Sequence, residues 1–354
     1  VAAALRRAIA QGIHRPGDYL PPVRKLAADA GVAYLTATRA VRILRREGLV
    51  AAEPRRGYRV LPPVKGSARG RALFAFLTGS NPRDPQLWNE THKALLTGFQ
   101  CLSGQQGPFV LAMRFDEMSP ETVQSLRQAG IVGVAMDCDT PELIDGFRRA
   151  QIPVVLVDAF AYGAGVVGVV QDNFRGGYLA GEYLARRGHR EVAWFGLSVD
   201  SIHSRERRGG AAIGLEQGGA HLAPGFDLRV PEAASGIPSD QALHAARTLL
   251  SAPGRPRAIL SLWQSCTYAL CTAAAELGLR MNEDFELVTW GVEENRQGLY
   301  EQRFGAGGLP PMVCWSAVRM AQLAVSQLTL LSNPGDSDHR AVRISVPVEL
   351  HAQG

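Results

Sequence analysis

Arginines at helical spacing are the first residues in this chain that could do chemistry. Thr38, Arg42 and Arg45 lie across from an apolar stripe of Ala37, Ala40, Val41 and Leu44. One helix would therefore bury one side and present hydroxyl and guanidinium groups on the other. Tyr34, Leu35 and Thr36 stand at its start, and Arg55 and Arg56 form the tip of a turn from Pro54 to Gly57. Guanidinium groups grip phosphate oxygens through paired, charge-assisted N–H donors, so this surface suits a polyanion. The charge balance agrees. The 354 residues carry +5 overall, but residues 1–66 hold thirteen Lys/Arg against four Asp/Glu, or +9, which leaves −4 for the rest.

Other chemistries lack their signatures. The five cysteines (Cys101, Cys138, Cys266, Cys271 and Cys314) make no CxxC pair and no Cys/His cluster with zinc spacing, so reduced, mostly buried thiols are expected. Gly163-Ala164-Gly165 has no dinucleotide fingerprint around it, and no GxxxxGK[ST], GxSxG or HExxH occurs. His189 falls in a helix-to-strand turn and reads as a capping residue rather than a base. No catalytic residue, metal site or cofactor is expected, and an enzyme is not. No run of about 18 apolar residues is present, so no membrane helix is expected. No basic start, apolar stretch and small-residue cleavage site opens this sequence, which points to a cytoplasmic chain.

The elements that must hold the arginines are short. Leu5, Ala8, Ile9 and Ile13 predict a helix over 2–12. Pro16-Gly17-Asp18 is a turn. Val23, Leu26, Ala27 and Ala30 mark a second helix that Gly31 ends. The arginine-bearing helix follows and Gly48 closes it. Leu49–Ala52 and Gly57–Val60 read as a two-stranded hairpin. Helix, helix, turn, helix, hairpin is the order of a winged helix-turn-helix, whose third helix enters the major groove of DNA while the hairpin reaches a minor groove or phosphates.

The same residues resemble the gntR family of DNA-binding domains. Pro16-Gly17-Asp18-Tyr19-Leu20-Pro21-Pro22-Val23-Arg24-Lys25-Leu26-Ala27 resembles its "pG..LPs.R.LA" signature. Gly31-Val32, Thr36, Arg39-Ala40 and Glu47-Gly48-Leu49-Val50 continue in register, and Gly57-Tyr58-Arg59-Val60 resembles the wing. The resemblance implies that Arg24 and Arg39 contact DNA. The chain departs from many members at Ala33, Tyr34 and Thr38, which bears on the operator sequence. The DNA-binding domain is expected over 1–63, with a Pro/Gly-rich basic linker over 64–71.

From Ala72 onward short apolar runs alternate with amphipathic stretches. Strand-like runs include 73–77, 109–113, 133–136, 154–157, 166–170, 192–195, 258–262 and 287–290. Helical patterns such as 90–101, 120–129, 176–187, 239–250 and 268–277 lie between most of them. This predicts an α/β body over 72–354, with parallel sheets, helices on both faces and two lobes around a cleft. Gln171-Asp172-Asn173 with Gly176-Gly177-Tyr178-Leu179-Ala180, Tyr183-Leu184 and Gly188-His189-Arg190 resembles a stretch of LacI/GalR-type effector domains. Ser204–Gly210 resembles their "s..eR..Gf", and Ala258-Ile259-Leu260 through Gly278-Leu279 and Val346–Leu350 match further segments. The resemblance implies the fold of periplasmic sugar-binding proteins, with lobe 1 over about 72–170 and 311–335 and lobe 2 over about 171–310 and 336–354. The head-and-body combination is similar to arabinose-responsive repressors.

That resemblance also implies site residues. Asp158 and Arg207 would hydrogen-bond sugar hydroxyls. Trp263 and Gln264 stand where the family has an Asn-Asp pair, and Trp290 replaces a Phe. Gly291 replaces an Asp, with Glu293 close behind. Trp263 could stack on a sugar face, and Trp88 could line the opposite wall. The expected molecule is a dimeric regulator of double-stranded operator DNA, controlled by a small sugar-like effector between the lobes. Two alternatives stay open: a transporter's solute-binding protein, and a regulator whose body has lost ligand binding and only dimerises.

Overall fold

The computed structural model describes residues 1–2, 5, 8–9, 14, 17–46, 50–53, 57–60, 72–78, 90–102, 109–114, 119–138, 140–161, 165–198, 201–231, 238–304, 308–332 and 342–352. Most of the helix expected over 2–12, and all of the linker expected over 64–71, lie outside them.

In the head, helix α1 spans Val23–Asp29 and α2 spans Tyr34–Arg46. Strands β1 (Val50–Glu53) and β2 (Gly57–Val60) pair antiparallel. Tyr19 bridges to Arg59, while Leu20 N–H donates to the Tyr58 carbonyl, which extends the hairpin on one side. The buried stripe of α2 is Ala37, Ala40, Val41 and Leu44, as its 3.6-residue period requires. Val41 and Leu44 pack with Leu5, Leu20, Leu26, Val50 and Val60 into a small separate core. Gly31 ends α1 at φ +62°, where a side chain would be strained.

The body alternates strand and helix. Its first stretch runs β3 (Leu73–Thr78), α3 (Glu90–Leu102), β4 (Phe109–Arg114), α4 (Pro120–Gln128), β5 (Ile131–Met136), α5 (Pro141–Arg149), β6 (Val154–Val157) and β7 (Val167–Gln171). The second runs α6 (Asn173–Arg186), β8 (Glu191–Leu197), α7 (Ile202–Gln217), β9 (His221–Val230), α8 (Asp240–Ser251), β10 (Ala258–Ser261), α9 (Gln264–Glu276) and β11 (Glu286–Val292). The last runs α10 (Glu301–Phe304), β12 (Met312–Trp315), α11 (Ala317–Leu331), β13 (Arg343–Val346) and β14 (Val348–His351). One six-stranded sheet has the order β13-β7-β6-β5-β3-β4, and the other β14-β12-β11-β10-β8-β9. All neighbours are parallel except β12 and β14. This is the two-lobed architecture expected.

Two strands change the lobe boundaries. Met312–Trp315 was expected in lobe 1, but it pairs with β11 in the second sheet. Arg343–Val346 was expected in lobe 2, but it pairs with β7 in the first. The chain therefore passes between sheets after Gln171, at Ser316 and at Pro347. The physical reason is that β12 is buried throughout, and an apolar run records burial without recording which sheet buries it. Residues from both sheets, with those of α3, α6 and α11, form one continuous core cluster. Each lobe adds its own outer core. No helix among the described residues is long and apolar enough to cross a membrane.

Candidate functional site

The first candidate surface is α2 of the head. Leu35 is 73% exposed and Tyr34 52%. Thr36, Arg39, Arg42 and Arg45 are exposed, and so is Arg24 near the start of α1. One helix face thus carries three guanidinium groups on a rigid support. Thr38 is half-buried, and its hydroxyl donates to the Tyr34 carbonyl at 2.9 Å. Its hydroxyl is thereby used locally, which leaves the arginines as the long donors. Arg55 and Arg56 lie outside the described residues, as does Trp88.

The second site lies where the chain first crosses between sheets. Asp158 follows β6, Gln171 ends β7, and Asn173 begins α6. Arg207 comes from α7, whose N-cap Ser201 accepts from the Ser204 N–H. Trp263 caps α9 just beyond β10, and Trp290 lies within β11. Most of these positions fall at carboxyl ends of parallel strands, where ligands bind in open α/β sheets.

Arg207 is the centre. It is 3% exposed. Its Nε donates to Asn173 Oδ1 at 2.8 Å, Nη1 to the Leu262 carbonyl at 2.6 Å, and Nη2 to Gln171 Oε1 at 3.2 Å. Its guanidinium carbon lies 3.9 Å from the Trp290 ring centroid and 4.3 Å from that of Trp263. The cation is therefore sandwiched between two indoles, a strong arrangement for a desolvated guanidinium. Burial pushes its pKa down to about 9, against the opposing charges of Asp158 and Glu206. It remains charged at neutral pH.

Gln171 joins the lobes. Its Nε2 donates to both carboxylate oxygens of Asp158, at 2.9 and 3.0 Å, while Oε1 accepts from Trp290 Nε1 at 2.7 Å as well as from Arg207. Asp158 sits at φ +54°, a left-handed conformation that Asp tolerates better than most residues. His203 Nε2, from the other lobe, lies 3.3 Å from its Oδ1. Burial raises the Asp158 pKa, but His203, Arg207 and Gln171 outweigh it and hold the carboxyl below its ordinary value.

Asp158, Arg207, Trp263 and Trp290 thus come together. Trp290 is buried and meets Arg207 face-on, and Trp263 presents one ring face to the same cation. Trp263 Nε1 is buried without a hydrogen bond among the described residues, and the ring meets His203 edge-on at 6.4 Å. Two expected residues point elsewhere. Gln264 donates to the Tyr300 hydroxyl at 3.2 Å. Glu293 pairs with His351 at 2.9 Å and with Arg296 at 3.3 Å. Sequence reasoning missed Gln171, Asn173 and His203 as site residues. Gln171 and Asn173 were visible within a quoted motif, whereas His203 carried no signal.

Further contacts cross between the lobes. Tyr268 donates to Glu90 Oε1 at 2.6 Å, and Arg343 pairs with Glu206. Glu294 caps α11, accepting from Ser316 Oγ at 2.6 Å and from the Ala317 and Val318 N–H groups at 3.1 Å.

Comparison with known proteins matches both parts. Residues 1–60 match the family model described as bacterial regulatory proteins, gntR family. Residues 110–279 match that of periplasmic binding proteins and sugar binding domain of LacI family. The HTH-type transcriptional repressor PurR of Escherichia coli O139:H28 (strain E24377A / ETEC) is 29% identical over 184 residues, covering 49% of this chain and 50% of that protein. The chain thus spans about half the length of the curated relatives it matches. A regulatory protein of LacI family from Chloroflexus aggregans superimposes with TM-score 0.63 at 18% identity, over 78% of this chain and 96% of that one. A LacI family transcriptional regulator from Enterococcus faecium, solved with bound ribose, gives TM-score 0.60 at 16% identity, over 79% and 97%. These structural likenesses establish the fold.

Proposed function

Because this chain joins a gntR-type head to a LacI-type body, we propose that it is a DNA-binding transcriptional regulator whose operator affinity is set by a small effector held between the two lobes. The observation that carries the reading is the exposed row of Arg39, Arg42 and Arg45 on a helix whose opposite stripe is buried. Such a helix can lie in a major groove with its cations toward phosphates and base edges. The chain acts in the cytoplasm, as a homodimer on a palindromic operator, and as a regulator rather than an enzyme. The effector is sugar-like, because Asp158, His203 and the buried Trp263 Nε1 offer hydroxyl-matching polar groups beside an indole face.

The test is fluorescence anisotropy with promoter fragments of its own locus across a salt series. Binding should weaken steeply with salt, because each neutralised phosphate releases counterions. Arg42→Ala should weaken it by about 1–3 kcal/mol if the side chain reaches a base edge. Salt-independent or absent binding to every fragment would end the reading. The sealing of Arg207 inside the protein favours a second reading, in which the network is a permanent strut and the body only dimerises. Calorimetry against pentoses, hexoses and sugar alcohols separates the two.

A further inference from the structure

Three side chains with metal-binding donors meet on the second lobe, away from the Arg207 network. Glu293 follows β11, Cys314 lies on β12 and His351 ends β14. One donor atom from each lies within 4.8 Å of the other two. The strand register explains the meeting. Cys314 faces Glu349 and Met312 faces His351 across the antiparallel pair. Residues two apart share a face, so Cys314 and His351 project from the same side of the sheet. Glu293 reaches over that side from the neighbouring strand end, and its Oε2 lies 2.9 Å from His351 Nε2. Cys314 is buried, His351 half-buried and Glu293 exposed, so the cluster has a closed floor and an open mouth.

We propose that Glu293, Cys314 and His351 form a binding site for a divalent transition-metal ion of the zinc class, with water as the fourth ligand. The donor set decides the class. One thiolate, one imidazole and one carboxylate suit a borderline-soft ion, whereas calcium and magnesium take oxygen ligands. Bond lengths of about 2.0–2.3 Å place tetrahedral ligand atoms about 3.3–3.7 Å apart. The imidazole and carboxylate need only separate by about half an ångström, and the thiol sulfur must close on them from at most 4.8 Å.

Arg296 is the opposing feature. Its Nη1 lies 3.3 Å from Glu293 Oε1, so it holds one carboxylate oxygen and leaves the other toward His351. That is the outer contact that orients a ligating carboxylate. Burial, with Glu293 and Glu294 adding to it, raises the Cys314 thiol pKa well above its ordinary value, against Arg296. The thiol therefore starts protonated. Binding forms the metal–sulfur bond, the thiol proton leaves to solvent, and no oxidation state changes. Glu294, the next residue, caps the helix that crosses to the other sheet. An ion held at Glu293 therefore stiffens that crossover.

The full-length protein, stripped of metal and reduced, should be titrated with Co²⁺. A near-ultraviolet thiolate-to-cobalt charge-transfer band with tetrahedral visible bands is expected, and Zn²⁺ should bleach both. Cys314→Ser should abolish the charge-transfer band, while Cys101→Ser should keep it. His351→Gln, at a partly exposed position, should weaken Co²⁺ at least tenfold. Zn²⁺ should raise the Tm of the parent and not that of His351→Gln. Absence of the band, its persistence in Cys314→Ser, or equal affinity and equal Tm shift in His351→Gln would each overturn the proposal.

Discussion

Arg207 holds the buried network at the crossover together. Its donors reach Asn173, Leu262 and Gln171, and two indoles cover its faces. Arg207→Ala would leave Asp158 without its buried counter-charge and open a void between the rings. Removing one partner of a buried ion network costs about 3–5 kcal/mol. We expect Arg207→Ala to lose about that much by chemical denaturation, and Arg207→Lys to recover little, because an ammonium cannot reproduce the planar fork. Unchanged stability would show the network to be dispensable. Effector binding is therefore better probed at His203 and Trp263, which hold fewer bonds. Asp158 adds a pH test. Its folded pKa is depressed, so its contribution is present above the unfolded value of about 3.9 and is lost as pH falls through the folded value. Asp158→Asn should make the acid limb of a Tm-against-pH curve shallower below about pH 4. An identical limb would remove Asp158 from the account. The sequence singled out Asp158 and Arg207, and the fold brings them into one cluster. Their partners were not, because Gln171, Trp290 and the Leu262 carbonyl are brought in from distant positions by the sheet topology.

Glycines set how α6 and α7 meet. A Cβ at Gly177 would lie 2.0 Å from the Arg207 carbonyl oxygen, and one at Gly210 would lie 2.0 Å from that of Phe174. Backbone touches backbone there, and no side chain can give way. Gly177→Ala should cost at least about 1–3 kcal/mol, the usual penalty of overpacking. It should also displace Arg207, visible as altered tryptophan fluorescence from Trp263 and Trp290. Wild-type stability and spectrum would mean that the helices separate without strain. Gly176-Gly177 and Gly209-Gly210 stood in the motifs, but the partner each approaches became clear only once the helices packed. Periodicity served better in the head, where Ala37, Ala40, Val41 and Leu44 all proved buried. The lobe boundaries implied by the family resemblance were off at β12 and β13, since a strand's own residues say how it is buried and nothing of the sheet it joins.

At the scale of the whole molecule, the question is what holds the lobes together. They are covalently linked at three crossovers, and Tyr268 to Glu90 is a hydrogen bond between α9 of the second lobe and α3 of the first. Glu90 has its other oxygen buried with no hydrogen bond among the described residues, so the closed arrangement holds a carboxylate at some cost and relies on the phenol to offset it. A hydrogen bond to a charged group contributes about 1.5–3 kcal/mol. Removing it should shift the closed-to-open balance toward open by roughly tenfold to a hundredfold. Tyr268→Phe keeps the ring and its packing and deletes only the hydroxyl, so it isolates that term. Small-angle scattering of this variant should give a larger radius of gyration than wild type. Amide exchange should quicken at the starts of α3 and α9, where the two residues sit, while the sheet cores keep their protection. Under the function proposed above, operator affinity should change with lobe closure. Scattering and exchange curves that overlay those of wild type would show that this bond does not govern closure, and would leave the Gln171–Arg207 network and the crossovers as what holds the lobes in place.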